Sequence, residues 1–224
     1  MRRKLTFGFI IAAGAIAAIL WGVTQKAYPV ATVNDAFISA RLFQIAETAA
    51  RSYYEKIGAV SGALASTTGA EFNGRMRQIA LQALIEDELV AAKLRTLYEA
   101  EPLESAIVQR VNLALASSSQ ETSKAINELF SLSVDEFSEI VLAPQARIEL
   151  LQAELMKSEI DFESWLKSAL IDARVSISVN DLKWANGYVE LTGEQSYTAR
   201  VKEIFDQIAS TTEALQNAST TTEQ

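Results

Sequence analysis

Two apolar periods alternate along this chain, and the switches between them mark out its elements. Residues 5–23 come first as an uncharged run of 19 residues, LTFGFIIAAGAIAAILWGV, with Arg2, Arg3 and Lys4 ahead of it and Lys26 behind. At about 1.5 Å of rise per residue such a run just crosses a hydrocarbon layer of roughly 30 Å, and the basic cluster keeps its start in the cytoplasm. No small-x-small cleavage site follows Val23, which favours an uncleaved anchor over a signal peptide. Residues 30–39 read as a strand-turn-strand around Asn34-Asp35, with Ser39 capping the helix that follows. That helix, residues 40–60, carries the stripe Leu42, Phe43, Ile45, Ala46, Ala49, Ala50, Tyr53 and Ile57. Gly58, Gly62, Ser66-Thr67-Thr68-Gly69 and Asn73-Gly74 then break the pattern and predict a loop, or two half-helices with a flexible join. A long helix over residues 76–98 follows, with Met76, Ile79, Ala80, Ala83, Leu84, Val90, Leu94 and Leu97 at helical spacing. Pro102 restarts a helix over residues 103–116, and residues 117–123 are a polar joint.

Residues 126–179 predict three helices and a strand. Ser133 followed by Glu136 is a capping box, Pro144 suits a helix start, and Ser158 or Asp161 can cap the helix with the stripe Phe162, Trp165, Leu166, Ala169, Leu170 and Ala173. That stripe predicts a buried Trp165 facing the junction of the closing strand and the long helix. Val175, Ile177 and Val179 alternate with Ser176 and Ser178, which is strand periodicity. Asn186-Gly187 between residues 182–185 and 188–191 is a strong hairpin signal.

The order of these parts resembles the N-terminal chaperone domain of SurA/PrsA-type extracytoplasmic foldases. The matching residues are Leu132-Ser133-Val134-Asp135-Glu136-Phe137, together with Val30-Ala31-Thr32-Val33-Asn34 and Phe37-Ile38-Ser39. Asp35 stands where the family has Gly, a position at which Asp can still take a positive φ. The resemblance implies a mainly α fold with a small β-sheet in which the first strand pairs with the strand at residues 175–179, preceded here by one transmembrane helix. It divides the chain into an anchor (1–26), a helical domain with its closing hairpin (27–192) and a short helix and tail (193–224). The family's proline-isomerase module is far longer than the 33 residues that follow Leu191, and it uses a His pair where this chain has no His. The hairpin with the stripe Tyr197, Val201, Ile204, Phe205 and Ile208 is also similar to half of a BON-type envelope module.

Charge and missing residue types narrow the chemistry. Beyond residue 26 the chain keeps 16 basic and 28 acidic residues, a net charge near -12, which argues against nucleic acid because neutralising phosphates requires clustered Lys and Arg. The absence of Cys removes thiol chemistry, and the absence of His removes the commonest general base and metal ligand. The neighbours Ser123-Lys124 and Lys167-Ser168 point different ways on a helix. Glu86, Asp87 and Glu88, and Asp135 with Glu136, read as solvated helix faces rather than metal or acid-base sites. No catalytic residue, cofactor or metal is expected. Gly14, Ala18 and Gly22 lie four apart on one anchor face and could join two chains as a homodimer, against the plainer reading of an Ala-rich lipid-facing helix.

Surface is what remains for function. The resemblance implies a cradle that holds unfolded or extended polypeptides on apolar surface, anchored in the cell membrane with its domain outside the cytoplasm. The candidate client-binding residues are Tyr53, Tyr54, Phe72, Met76, Phe130 and Phe137, each of which core packing could also claim. A structural or adaptor subunit of an envelope complex, using the same domain to hold one fixed partner, is the alternative.

Overall fold

The computed structural model describes residues 29–61, 69–116 and 120–192. The anchor run, the C-terminal stripe and tail, and most of the first predicted loop lie outside them. Among the described residues no helix is long and apolar enough to cross a membrane.

The fold is mainly helical with two small antiparallel sheets. Strand β1 (Pro29–Val33) turns into β2 (Ala36–Ser39), and β3 (Val175–Ile177) pairs with the other side of β1. Ala31 lies opposite Ile177 and Val33 opposite Val175, so the domain is closed by joining its beginning to a segment more than 140 residues later. The expected pairing is therefore present. The turn places its positive φ at Asn34 (53°) and not at Asp35. Asn34 is tied to β3 twice: its side-chain Oδ1 accepts from the Arg174 backbone amide, and its backbone amide donates to the Arg174 carbonyl.

Helix α1 (Ala40–Ser61) starts where Ser39 Oγ accepts from the Leu42 amide, and α2 (Gly69–Leu97) packs along it. Asn73-Gly74, expected in a loop, lies inside α2. A Cβ on Gly74 would sit 3.0 Å from Leu191 Cδ2, so the glycine lets the Leu191 side chain approach the helix closely. The buried face of α2 is wider than the expected one. Met76, Ala80, Leu84, Val90 and Leu94 of the predicted stripe are buried and Leu81 and Ile85 join them, whereas Ile79 and Leu97 are exposed. A helix covered on two sides needs more than one apolar stripe, and α2 serves two cores. Its middle, from Ala80 to Leu89, packs with Ala31, Val33, Ile38, Phe43, Leu170 and Val189. Val90 and Leu94 pack with Leu103 and Ile107 of α3 (Ala100–Ala116) and Leu150, Leu151 and Leu155 of α6 (Ala143–Lys157).

Helix α4 (Gln120–Phe130) leads into the single turn α5 (Val134–Phe137), which continues without a break through a π-helical segment (Ser138–Leu142) into α6. Pro144 stands at the expected helix start, the second residue of α6, and it directly follows the π segment, where the Ala143 amide donates to the Ser138 carbonyl five residues back. A proline offers no N–H and crowds the carbonyl four residues behind it, and the wider turns just ahead absorb that misfit.

Asp161, not Ser158, caps α7 (Phe162–Asp172), its carboxylate accepting from the Ser164 amide at 2.8 Å; Ser158 ends α6 instead. The stripe of α7 divides between the two cores: Leu166, Ala169, Leu170 and Ala173 face the sheet, while Phe162 and Trp165 pack on the α3 and α6 side. Trp165 therefore does not sit at the strand junction. Its ring lies 5.9 Å from that of Phe162, against the cluster containing Val90 and Leu94.

Strands β4 (Leu182–Ala185) and β5 (Tyr188–Leu191) form the predicted hairpin. Asn186 (φ 54°) and Gly187 (φ 85°) make its turn, as an Asn-Gly pair readily does. Two glutamines one turn apart on α2 seat it: Gln78 Nε2 donates to the Val189 carbonyl at 2.6 Å, and Gln82 Oε1 accepts from the Val189 amide at 2.9 Å.

Candidate functional site

Four of the six sequence-predicted residues come together at one place. Tyr53 in the second half of α1 stacks on Phe130 at the end of α4, with centroids 5.3 Å apart and planes 6° from parallel. Phe130 in turn meets Phe137 of α5 at 5.1 Å, and Tyr54 stands edge-on to Tyr53 at 5.6 Å and 88°. The result is a stepped aromatic row across three helices. Tyr54 is 40 % exposed, and Tyr53, Phe130 and Phe137 are half-buried.

The row stands on a small apolar cluster of Ala49, Ile126 and Leu132, with Ile45, Val134 and Ile140 around it. Local chemistry fixes the helix ends that carry the rings. Buried Ser52, next to Tyr53, donates to the Leu129 carbonyl at 3.0 Å and lies 2.8 Å from Ser131 Oγ, which ties α1 to the end of α4. Ser131 adopts a left-handed φ of 57° and turns the chain out of α4 beside Phe130. Two residues on, the predicted capping box forms. The Ser133 amide and hydroxyl both donate to Glu136 Oε2, at 2.9 and 2.8 Å, and the Glu136 amide donates back to Ser133 Oγ at 3.2 Å. These bonds from Ser133, with a smaller contribution from nearby Arg41, hold the Glu136 carboxyl below its ordinary pKa. Arg41 at the start of α1 makes a bidentate pair with Glu139, at 2.8 and 2.9 Å, which ties the π segment to the start of α1. The rings are thus presented by a rigid frame.

The other two candidates stand apart. Met76 is a correction: it is only 4 % exposed, and a side chain buried in α2 offers no surface to a client. Phe72 lies half-buried in the first turns of α2 and joins none of the ring contacts among the described residues. Asp87 is a second correction, since it is not on a solvated face. It pairs with Arg147 of α6, both side chains largely covered, and burial raises its pKa against the pull of Arg147. Of the Ser-Lys neighbours, Lys124 pairs with Glu128 and Ser168 donates to Asp172. Among the described residues no cluster of His, Cys, Asp or Glu could hold a metal ion.

Two apolar surfaces were missed in the sequence. Phe37 on β2 is 73 % exposed, although the inward position of Ile38 beside it carried the signal. Ile79 and Tyr188 line an open groove of about 430 Å³ between α2 and β5, where a helical and a strand residue meet, and no single period could show that. Compared with protein-family models, with curated proteins and with solved structures, the chain matches none.

Proposed function

We propose that this is a membrane-anchored, extracytoplasmic, chaperone-like protein that holds unfolded or extended polypeptides and does not isomerise proline. The aromatic row carries this reading. Rings of Tyr53, Tyr54, Phe130 and Phe137 lie partly open, in contact with one another, on helices tied together by hydrogen bonds and a capping box. Flat rings already held in place lose little entropy when a partner covers them and accept side chains of varied shape. The acidic balance of the domain, near -12 beyond residue 26, keeps it off an anionic membrane surface.

Magnitudes set the style of binding. Covering roughly 100 Å² of ring gains about 2.5 kcal/mol at 25 cal/mol per Å². A micromolar complex needs about 8 kcal/mol, so a client must touch several points and exchange readily. The full chain in lipid nanodiscs, added to an unrelated protein aggregating from its unfolded state, is expected to suppress light scattering. The double variant Tyr53→Ala/Tyr54→Ala should lose most of that effect, and Leu113→Ala, exposed on α3, should keep it. Unaltered scattering with the wild-type chain would sink the reading.

A further inference from the structure

The three-stranded sheet has β2 at one edge, in the order β2-β1-β3. Which of its backbone groups point outward follows from the bonds on the far side of β1. Asn34 donates to the Arg174 carbonyl, and Ser178 donates to the Val30 carbonyl, so the even-numbered residues of β1 aim their peptide groups at β3. Alternation then aims Ala31 and Val33 at β2, where their partners are Ile38 and Ala36. The amide and carbonyl of Phe37, between those partners, therefore face away from β1, and no described residue bonds them. Its side chain is 73 % exposed.

We infer that the outer edge of β2 at Phe37 is a second contact point for the same polypeptide clients, which would add an extended segment as a fourth strand. The inference rests on the proposed function and gives the client site its backbone-reading half. Three observations favour an extended main chain as the occupant. The open groups at Phe37 are one donor and one acceptor, the pair that an added strand satisfies. Natural edges are commonly guarded by Lys, Pro or an inward charge, and β2 reads Ala36-Phe37-Ile38-Ser39 with none of these. The edge is also linked to the aromatic row by one helix. Helix α1 begins directly after Ser39 and carries Tyr53. From Ala40 to Tyr53 the helix rises about 20 Å, a span that about six extended client residues cover. Main-chain pairing at one end and ring contact at the other supply the several points that weak individual contacts require, without reading client sequence.

Hydrogen exchange on the full chain in nanodiscs tests this, with reduced and carboxymethylated lactalbumin as a permanently unfolded probe. Saturating probe should slow exchange of the Phe37 amide at least tenfold and leave exposed amides of α3 unchanged. Phe37→Pro removes the outward donor and keeps the inward bonds at Ala36 and Ile38, a placement that edge strands tolerate; it should weaken probe binding at least fivefold. Phe37→Val keeps the donor and acceptor and should stay within about threefold of wild type. If the probe binds and Phe37 exchanges at its free rate, the edge proposal is overturned while the chaperone reading stands, whatever the variants do. If the probe does not bind the wild-type chain, both fall together.

Discussion

Replacing Trp165 by Ala separates two placements of the α7 helix. The ring is half-buried beside Phe162 and packs on the cluster of Val90, Leu94, Leu103, Leu151 and Leu155. A tryptophan has about 200 Å² to bury, so half-burial removes roughly 100 Å² from water and contributes about 2.5 kcal/mol. Contact with Phe162 adds on the order of 0.5 to 1 kcal/mol, and a compact unfolded state takes back a similar amount. The expected loss is therefore about 2 to 3 kcal/mol, less than the roughly 3 to 5 kcal/mol of a fully buried aromatic. For a domain of this size that lowers Tm by about 5 to 10 °C. Thermal unfolding followed by far-ultraviolet circular dichroism measures it, with two references. Leu151→Ala, at a side chain 0 % exposed, should cost at least as much, and Leu113→Ala, 67 % exposed, should leave Tm within about 2 °C. A Trp165→Ala shift as small as that of Leu113→Ala would refute the packing of α7 on the α3 and α6 side.

Ser133→Ala removes the hydroxyl half of the capping box, leaving the residue-133 amide still donating to Glu136, and should cost about 1 kcal/mol at neutral pH, measured by urea unfolding. Because Glu136 has a lowered pKa, its contribution is present above the ordinary carboxylate range and lost as pH falls through the lowered value; the difference between wild type and Ser133→Ala should shrink on acidification. Gly187→Ala puts a side chain at φ 85°, with its Cβ 3.4 Å from that of Leu170, and should lower stability by about 1 to 2 kcal/mol. Arg147→Ala leaves the covered Asp87 carboxylate without its partner and should cost about 3 kcal/mol, largely recovered in Arg147→Ala/Asp87→Leu, as thermal unfolding of the pair would show.

Local chemistry was legible in the sequence and shared packing was not. The Ser133–Glu136 box and the Asn186-Gly187 turn are set by residues within a few positions of one another, and both form. The pairing of Ala31 with Ile177 was also accessible, through alternation at both ends and the family order of parts. Asn73-Gly74 misled because a helical glycine is usually a break, and only the seat of Leu191 explains it here. Met76 was read both as part of the long helix's stripe and as a client contact, and its burial bears out the stripe. The stripe of α7 was correctly read as apolar, but its division between two cores depends on where α3 and α6 stand. Asp87 looked solvated beside Glu86 and Glu88, and its partner Arg147 is 60 residues away. For the candidate site, the sequence identified the ring residues; the bonds of Ser52 and the left-handed Ser131 that bring Tyr53 onto Phe130 are tertiary.

The central claim is that the aromatic row touches unfolded polypeptide, and site-directed photo-crosslinking tests it most directly. A benzophenone amino acid in place of Tyr54, in the full chain in nanodiscs, is expected to crosslink reduced and carboxymethylated lactalbumin and not the folded, disulfide-intact form. The same group in place of Leu113, which is more exposed than Tyr54 but lies on α3, is expected to give little product. Equal crosslinking from both positions, or none from position 54 while the client is bound, would contradict the account.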